Sequence, residues 1–171
     1  WGVAGHKYLN SQQGWFLAYE KGIRLFEADL LKTSDGVLVG VHHWDEWKTL
    51  TGNQEIIGIP DYRLVKKSLL LGEFKTVDAN FIRKFLLKHP DSKLVTDKVD
   101  DYEALLDQVG NTDRTIVEVF NEGQISEARS YGYWDVMPSF AHNVLAIEKY
   151  SSDFGVKYFA LHSATFDNSF R

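Results

Sequence analysis

Apolar positions along the chain follow two rhythms, one of about 3.6 residues and one of short strand-like runs. After Ser11, which is placed to cap a helix, Trp15, Leu17 and Ala18 mark a helical stretch that reaches Lys21 and is ended by Gly22. Almost no loop separates it from the apolar run Ile23 to Asp29, which reads as a strand. Thr33 and the turn Ser34-Asp35-Gly36 then lead into an alternating strand from Val37 to Val41. Residues 45 to 75 lose both rhythms. They carry Thr51-Gly52-Asn53, Gly58, Pro60 and Gly72, and read as a long excursion between core elements, a kind of loop more often functional than accidental.

From Thr76 the pattern is regular again. Thr76 or Asp78 caps a helix with Phe81, Ile82, Phe85 and Leu86 on one face, stopped by Lys88-His89-Pro90. A strand Lys93 to Asp97 follows, then a helix from Asp101 through Leu105, Leu106 and Val109 to Gly110. Strand Thr115 to Phe120, helix Gln124 to Tyr131, strand Asp135 to Ser139, helix Asn143 to Phe154 and strand Lys157 to Ser163 complete the chain. Strand starts recur about every 20 residues with a helix between, which implies an α/β fold with parallel pairing through right-handed crossovers. Counted from Ile23 there are five parallel-type strands, and the Val37 strand is either a sixth or a hairpin partner.

Composition narrows the class. With 171 residues, 44% of them apolar and 25% charged, the chain suffices for one soluble globular domain spanning residues 1–171. A net charge of -5 argues against a nucleic-acid partner, whose backbone calls for clustered Lys and Arg. Small anionic substrates stay possible where a metal reverses the local sign. The absence of cysteine excludes disulfides, thiolate nucleophiles and zinc-cysteine sites. No run of about 20 apolar residues is present to form a transmembrane segment. The chain opens at Trp1, which implies processing or trimming. The compartment therefore stays open between the cytoplasm and a location reached by a lost signal or anchor, and the oligomeric state is unknown.

The chemistry concentrates in the stretch Ile23 to Trp44. Glu27 and Asp29 are two apart in an apolar run, so in a strand both carboxylates point to one face. Two carboxylates in a poorly solvated site share a proton or share a metal, and hard oxygen ligands suit Mg²⁺ or Ca²⁺. The other reading is a pair of solvated acids on an edge strand. His42 comes thirteen residues after Asp29. On a strand His42 and His43 would face opposite ways, so only one of them enters a site. Glu118 interrupts another apolar run and either faces the same site or pairs with Arg114 or a Lys of the next strand. Trp44 and Trp47 either line a pocket for a lipid or sugar head group or pack the excursion on the core. His89, His142 and His162 lack metal-type spacing.

The string Glu27-x-Asp29, Thr33, Asp35-Gly36, Val39, His42 resembles the E-x-D, T-x-D-G, V, H-D signature of glycerophosphodiester phosphodiesterases and related phosphatidylinositol phospholipase C-like proteins. Looser similarity runs from Tyr8-Leu9-Asn10-Ser11 through Val95-Thr96-Asp97 to the strand Ile116 to Phe120, and is greater to a less studied bacterial branch. The resemblance implies a TIM-type (β/α)8 barrel. Such barrels need at least ~200 residues, so this chain would hold an incomplete one, with one strand before Trp1 and at least one after Arg171 outside it. An open parallel sheet is the alternative. Either architecture puts chemistry at the carboxyl ends of strands, where Asp29, Asp97 and Phe120-Asn121 fall.

By the same resemblance Glu27 and Asp29 are ligands of one divalent cation, Mg²⁺ or Ca²⁺, and Asp97 is the candidate third ligand unless it only caps the next helix. The family's acid at that position is followed two residues later by Lys; here Val99 stands there, and Lys98 is one place early as the substrate-binding candidate, with Trp44. His42 takes the family's acid/base role, whereas His43 replaces the signature's Asp. The family's second catalytic His is either His6, in His6-Lys7, or lies upstream of Trp1, because Gly5-His6-Lys7-Tyr8-Leu9-Asn10-Ser11 also matches a downstream loop of the bacterial branch. The implied activity is metal-dependent cleavage of a small glycerol- or lipid-type phosphodiester, and the alternative is a barrel that binds a phosphorylated sugar or lipid without turnover.

Overall fold

Local side-chain chemistry starts each predicted helix. In the computed structural model, which describes residues 9–141 and 143–161, the Ser11 hydroxyl accepts the Gly14 N–H and opens α1 (Gln12–Glu20). The chain then enters β1 (Leu25–Lys32), turns, and returns as β2 (Leu38–Gly40). The predicted excursion holds structure of its own: α2 (Trp44–Thr51), α3 (Tyr62–Lys67) and a two-stranded ribbon of β3 (Leu69–Leu70) and β4 (Phe74–Lys75). Asp78, rather than Thr76, caps α4 (Ala79–Lys88). There follow β5 (Lys93–Asp97), α5 (Tyr102–Gln108) capped by Asp101, β6 (Thr115–Val119), α6 (Glu122–Ser130) capped by Asn121, β7 (Val136–Pro138), and α7 (Val144–Phe154) capped by Asn143.

One five-stranded sheet results, in the order β2-β1-β5-β6-β7. The pairs β1·β5, β5·β6 and β6·β7 are parallel, and β1·β2 is antiparallel. The Val37 strand is thus the hairpin partner and not a barrel strand. The reason is length: Thr33 N–H already bonds Val37 O at 2.9 Å, and so short a connection can only bring the chain back antiparallel. Four parallel strands stand where five were expected. Residues 157–161 form no strand, although Ala160 N–H reaches Pro138 O at 3.2 Å beside β7, and residues 162 and 163 lie outside the described part.

The parallel strands follow one another in chain order, with no reversal. A doubly wound sheet reverses its order and takes helices on both faces; consecutive order with right-handed crossovers sends every helix to one side. Packing agrees. One apolar cluster joins Trp15, Ile82, Phe85, Leu105 and Ile125 of the helices to Phe26, Leu94, Val117 and Val136 of the strands. This is the outer layer of a barrel-type β/α fold, of which the described strands form an arc, and the open parallel sheet is set aside. The opposite, inner face carries the alternate residues: Glu27, Asp29, Val95, Asp97, Ile116, Glu118 and Met137.

A second cluster explains why residues 45–75 fold. Trp47, Val65, Leu70 and Phe74 pack on Val39 and Val41 of the hairpin, and the buried Trp47 indole N–H bonds the Thr76 hydroxyl at 3.1 Å. Gly40 leaves room where the hairpin passes Asn10, since a Cβ there would stand 3.1 Å from the Cβ atoms of both Asn10 and Val77 and each would have to give by a few tenths of an ångström. No helix of the described residues is long and apolar enough to cross a membrane.

Candidate active site

Register assembles the acids. Asp29 and Asp97 are direct partners across the parallel pair β1·β5, at the carboxyl end of both runs. Glu27 lies one side-chain step earlier on β1, and Glu118 on β6 follows the residue that partners Thr96, so it stands next to Asp97. All four carboxylates thus rise from the inner face, three from strand positions that the apolar pattern alone would assign to Val or Ile.

Three of the four feel burial and one another's charge. Burial pushes the Glu27 carboxyl above its ordinary value, and the charges of Asp29 and Asp97 push it further. Asp97 is raised by burial as well; Lys98 pulls it back, while Asp29, close enough to share a proton with it, raises it. Glu118 goes up to about 7, from burial first and then from Asp97, Glu27 and Asp29. Asn10, whose role the hydropathy pattern did not foretell, donates its side-chain N–H to Asp29 Oδ2 at 2.8 Å in a buried contact. Its φ of 45° puts it in the left-handed region that Asn tolerates, and its carbonyl accepts Val77 N–H at 2.8 Å.

His42 and His43 leave the strand before they act. They lie in the turn between β2 and α2, and their rings touch edge-on with centroids 4.3 Å apart, so the expected opposite facing does not hold. Val41 N–H bonds Asp29 O at 2.8 Å, which brings the turn to the acid end of β1. Of the two, His42 is the one whose charge is felt at Glu27, and its Nδ1 stands 3.3 Å from Glu46 Oε2. His43 is exposed and occupies the N-cap position of α2 without a capping hydrogen bond.

Lys98 has a φ of 66° and its N–H donates to Asp97 Oδ1 at 2.6 Å, so it stays beside the acids. Val99, at the position where the signature has Lys, is buried in the main core. Trp44 is half-buried against the second cluster and meets Trp47 edge-on at 5.9 Å. Thr33 and Asp35 tie the hairpin turn: the Thr33 hydroxyl donates to Asp35 Oδ1 at 2.6 Å, and the same carboxylate accepts the Tyr62 N–H at 2.8 Å. His6 falls outside the described residues. Arg114 is taken up by Leu86 O and Asn111 Oδ1, which leaves Glu118 with the acids instead. Sequence reasoning left Glu118 undecided, yet the signal was present: an acid in an apolar strand at the register of Asp97.

Four carboxylates on one face, three of them with pKa values raised by burial and by neighbouring acids, make a hard-oxygen donor set short of positive charge, which is the chemistry of a Mg²⁺ or Ca²⁺ site. As placed, no three Asp, Glu or His side chains among the described residues stand near enough together to hold one ion. The grouping is one of charge and facing, and holding a cation requires the side chains to draw in.

Neither a family model nor a curated protein matches the chain. Solved structures do. A proposed glycerophosphodiester phosphodiesterase from Galdieria sulphuraria is similar with a TM-score of 0.70 and 14% identity, over 94% of this chain and 71% of that one. A glycerophosphodiester phosphodiesterase from Parabacteroides distasonis gives 0.66 and 18%, over 96% and 71%. A glycerophosphoryl diester phosphodiesterase from the same organism gives 0.62 and 16%, over 89% of this chain and 56% of that one. The chain therefore has the phosphodiesterase-type barrel fold, at identities that speak for the fold alone.

Proposed function

We propose, starting from that shared fold, that the chain carries the metal-dependent phosphodiesterase site of a barrel acting on a small glycerol- or lipid-type phosphodiester. The observation that carries the reading is the register that sets Glu27, Asp29, Asp97 and Glu118 on one inner face, where burial and neighbouring acids raise the carboxyls of Glu27, Asp97 and Glu118. Glu27, Asp29 and Asp97 would hold the divalent cation, which when bound neutralises phosphate charge and stabilises the charge that develops on its oxygens. Asn10 keeps Asp29 oriented. Lys98 supplies a second positive charge beside Asp97. His42, with Glu46 to hold its ring, protonates the departing alkoxide. A second base, His6 or a residue upstream of Trp1, would activate water or a substrate hydroxyl.

The test is turnover of bis(p-nitrophenyl) phosphate with Mg²⁺, Mn²⁺ or Ca²⁺, using a chain extended at both ends. Activity that EDTA abolishes, and that His42→Ala lowers by about 100-fold or more, supports the reading. A second reading is favoured by one observation, the burial of Val99 where the signature has Lys. On that reading the barrel binds a phosphorylated sugar or lipid without turnover, and calorimetric cation binding with no hydrolysis would select it.

A further inference from the structure

On the helix-covered side of the sheet, away from the acids, α1, α3, β4 and α4 enclose a cavity of about 450 Å³. Such a volume suits a small organic ligand. Its floor is aromatic. Phe85 is buried, Phe81 half-buried, and Phe16 meets Phe81 edge-on at 5.6 Å while keeping 44% of its surface exposed. Its rim is cationic, because Lys66, Lys75, Lys84 and Lys88 converge on it from α3, β4 and α4.

In a chain of net charge -5, an isolated positive rim is unexpected. Among the described residues none of these four lysines forms an ion pair; the lysines that do are Lys32, Lys48, Lys93 and Lys149. Asp78 also lines the cavity, its carboxylate fixed by the Phe81 N–H at 2.7 Å and the Tyr62 hydroxyl at 3.0 Å; its one negative charge offsets one of the four lysines and leaves the rim net positive. His89 closes one end, packed on Tyr19 and Phe85 with ring centroids at 4.0 and 4.5 Å. Lysines are compact, mobile point charges, and they suit a tetrahedral anion better than a planar one.

We propose that this cavity is a second binding site, for a phosphate monoester with a flat aromatic body, the phosphate among the lysines and the ring against Phe16 and Phe81. It shares no residue with the acid cluster and is separated from it by the sheet, since Phe26, which packs on Phe85 at 4.9 Å, and Glu27 point to opposite faces. Ring stacking and apolar burial give the ligand's body its share of affinity, and the four charges select the head.

Calorimetric titration of the full chain in EDTA tests it, with phenyl phosphate, inorganic phosphate and phenol as probes. Phenyl phosphate binds at one site per chain, more tightly than either fragment, and weakens with added salt. Lys84→Ala with Lys88→Ala reduces its affinity about tenfold, as two charge-assisted contacts are lost. Lys66→Ala with Lys75→Ala, on the other wall, does the same and guards against a folding defect in the first pair. Phe16→Ala lowers affinity for phenyl phosphate but not for inorganic phosphate, and Glu27→Gln with Asp29→Asn leaves both unchanged. Failure of phenyl phosphate to bind, equal affinity for inorganic phosphate, indifference to both lysine pairs, or loss in the Glu27/Asp29 variant overturns the site.

Discussion

Asp29 and Glu118 are both carboxylates on the inner face, and their surroundings treat them differently. Asp29 is 6% exposed and has a hydrogen-bond donor in Asn10. Glu118 has only the Ser139 hydroxyl to lower its pKa against burial and three other carboxylates. Its sign can be worked out. In the unfolded chain Glu118 loses its proton near 4.5, and in the folded chain at about 7, so the folded state holds the extra proton between those values. The group's favourable contribution is present below about 4.5 and is lost as pH rises to about 7. With EDTA present, Glu118→Gln therefore raises the melting temperature at pH 8 and leaves it near that of the parent at pH 4.5. Equal shifts at both pH values in thermal unfolding would remove the electrostatic account. The pairing of Glu27 with Asp29 was legible because both lie on one strand, where the side-chain period is two. The role of Asn10 was not, because nothing within residues 9–14 announces a partner 19 positions away.

Among the elements, helices were the most legible because their start signals are local. Ser11, Asp78, Asp101 and Asn143 each cap the helix that the sequence assigns to them, by accepting an N–H three residues on. Asp78 has a second duty, accepting the Tyr62 hydroxyl at 3.0 Å and so joining α3 to the start of α4. Asp78→Ala should cost about 1–2 kcal/mol for the cap, and more if Tyr62 is left without an acceptor. Urea unfolding followed by circular dichroism measures it, and Asp78→Asn, which keeps a capping oxygen, should recover most of the loss. Two short helices, α2 and α3, were missed. At eight and six residues they are too brief to show two full turns of periodicity beyond doubt, and they are held by Trp47 and Val65 in the second cluster. The end of the chain went the other way: Lys157 to Ala160 has strand composition but is not paired as a ladder.

For the whole molecule, charge is divided between the two sides of the sheet. Carboxylates gather inside the arc, and lysines that form no ion pair among the described residues collect at a cavity outside it; neither grouping follows from the net charge. If the inner acids hold a cation, binding competes with protons for the same oxygens. Millimolar Ca²⁺ or Mg²⁺ should then raise the melting temperature by several degrees at pH 8, and hardly at all at pH 4.5, where Glu27, Asp97 and Glu118 hold protons for longer than ordinary carboxyls do. Glu27→Gln with Asp29→Asn should abolish the shift, and differential scanning fluorimetry reads all four conditions. Taken alone, the order of residues determined the alternation of strands and helices, the capped helix starts, the common facing of Glu27 and Asp29, and the arrival of His42 shortly after them. Those features depend on neighbours a few positions apart. Only the folded chain decided that Asp97 lies opposite Asp29, that Glu118 joins them, that α1, α4, α5 and α6 pack in one cluster on the outer face of the parallel strands, and that residues 45–75 fold over the hairpin. These are matters of register and packing between segments far apart in the chain, and side-chain periodicity within one segment carries no information about the offset of the next.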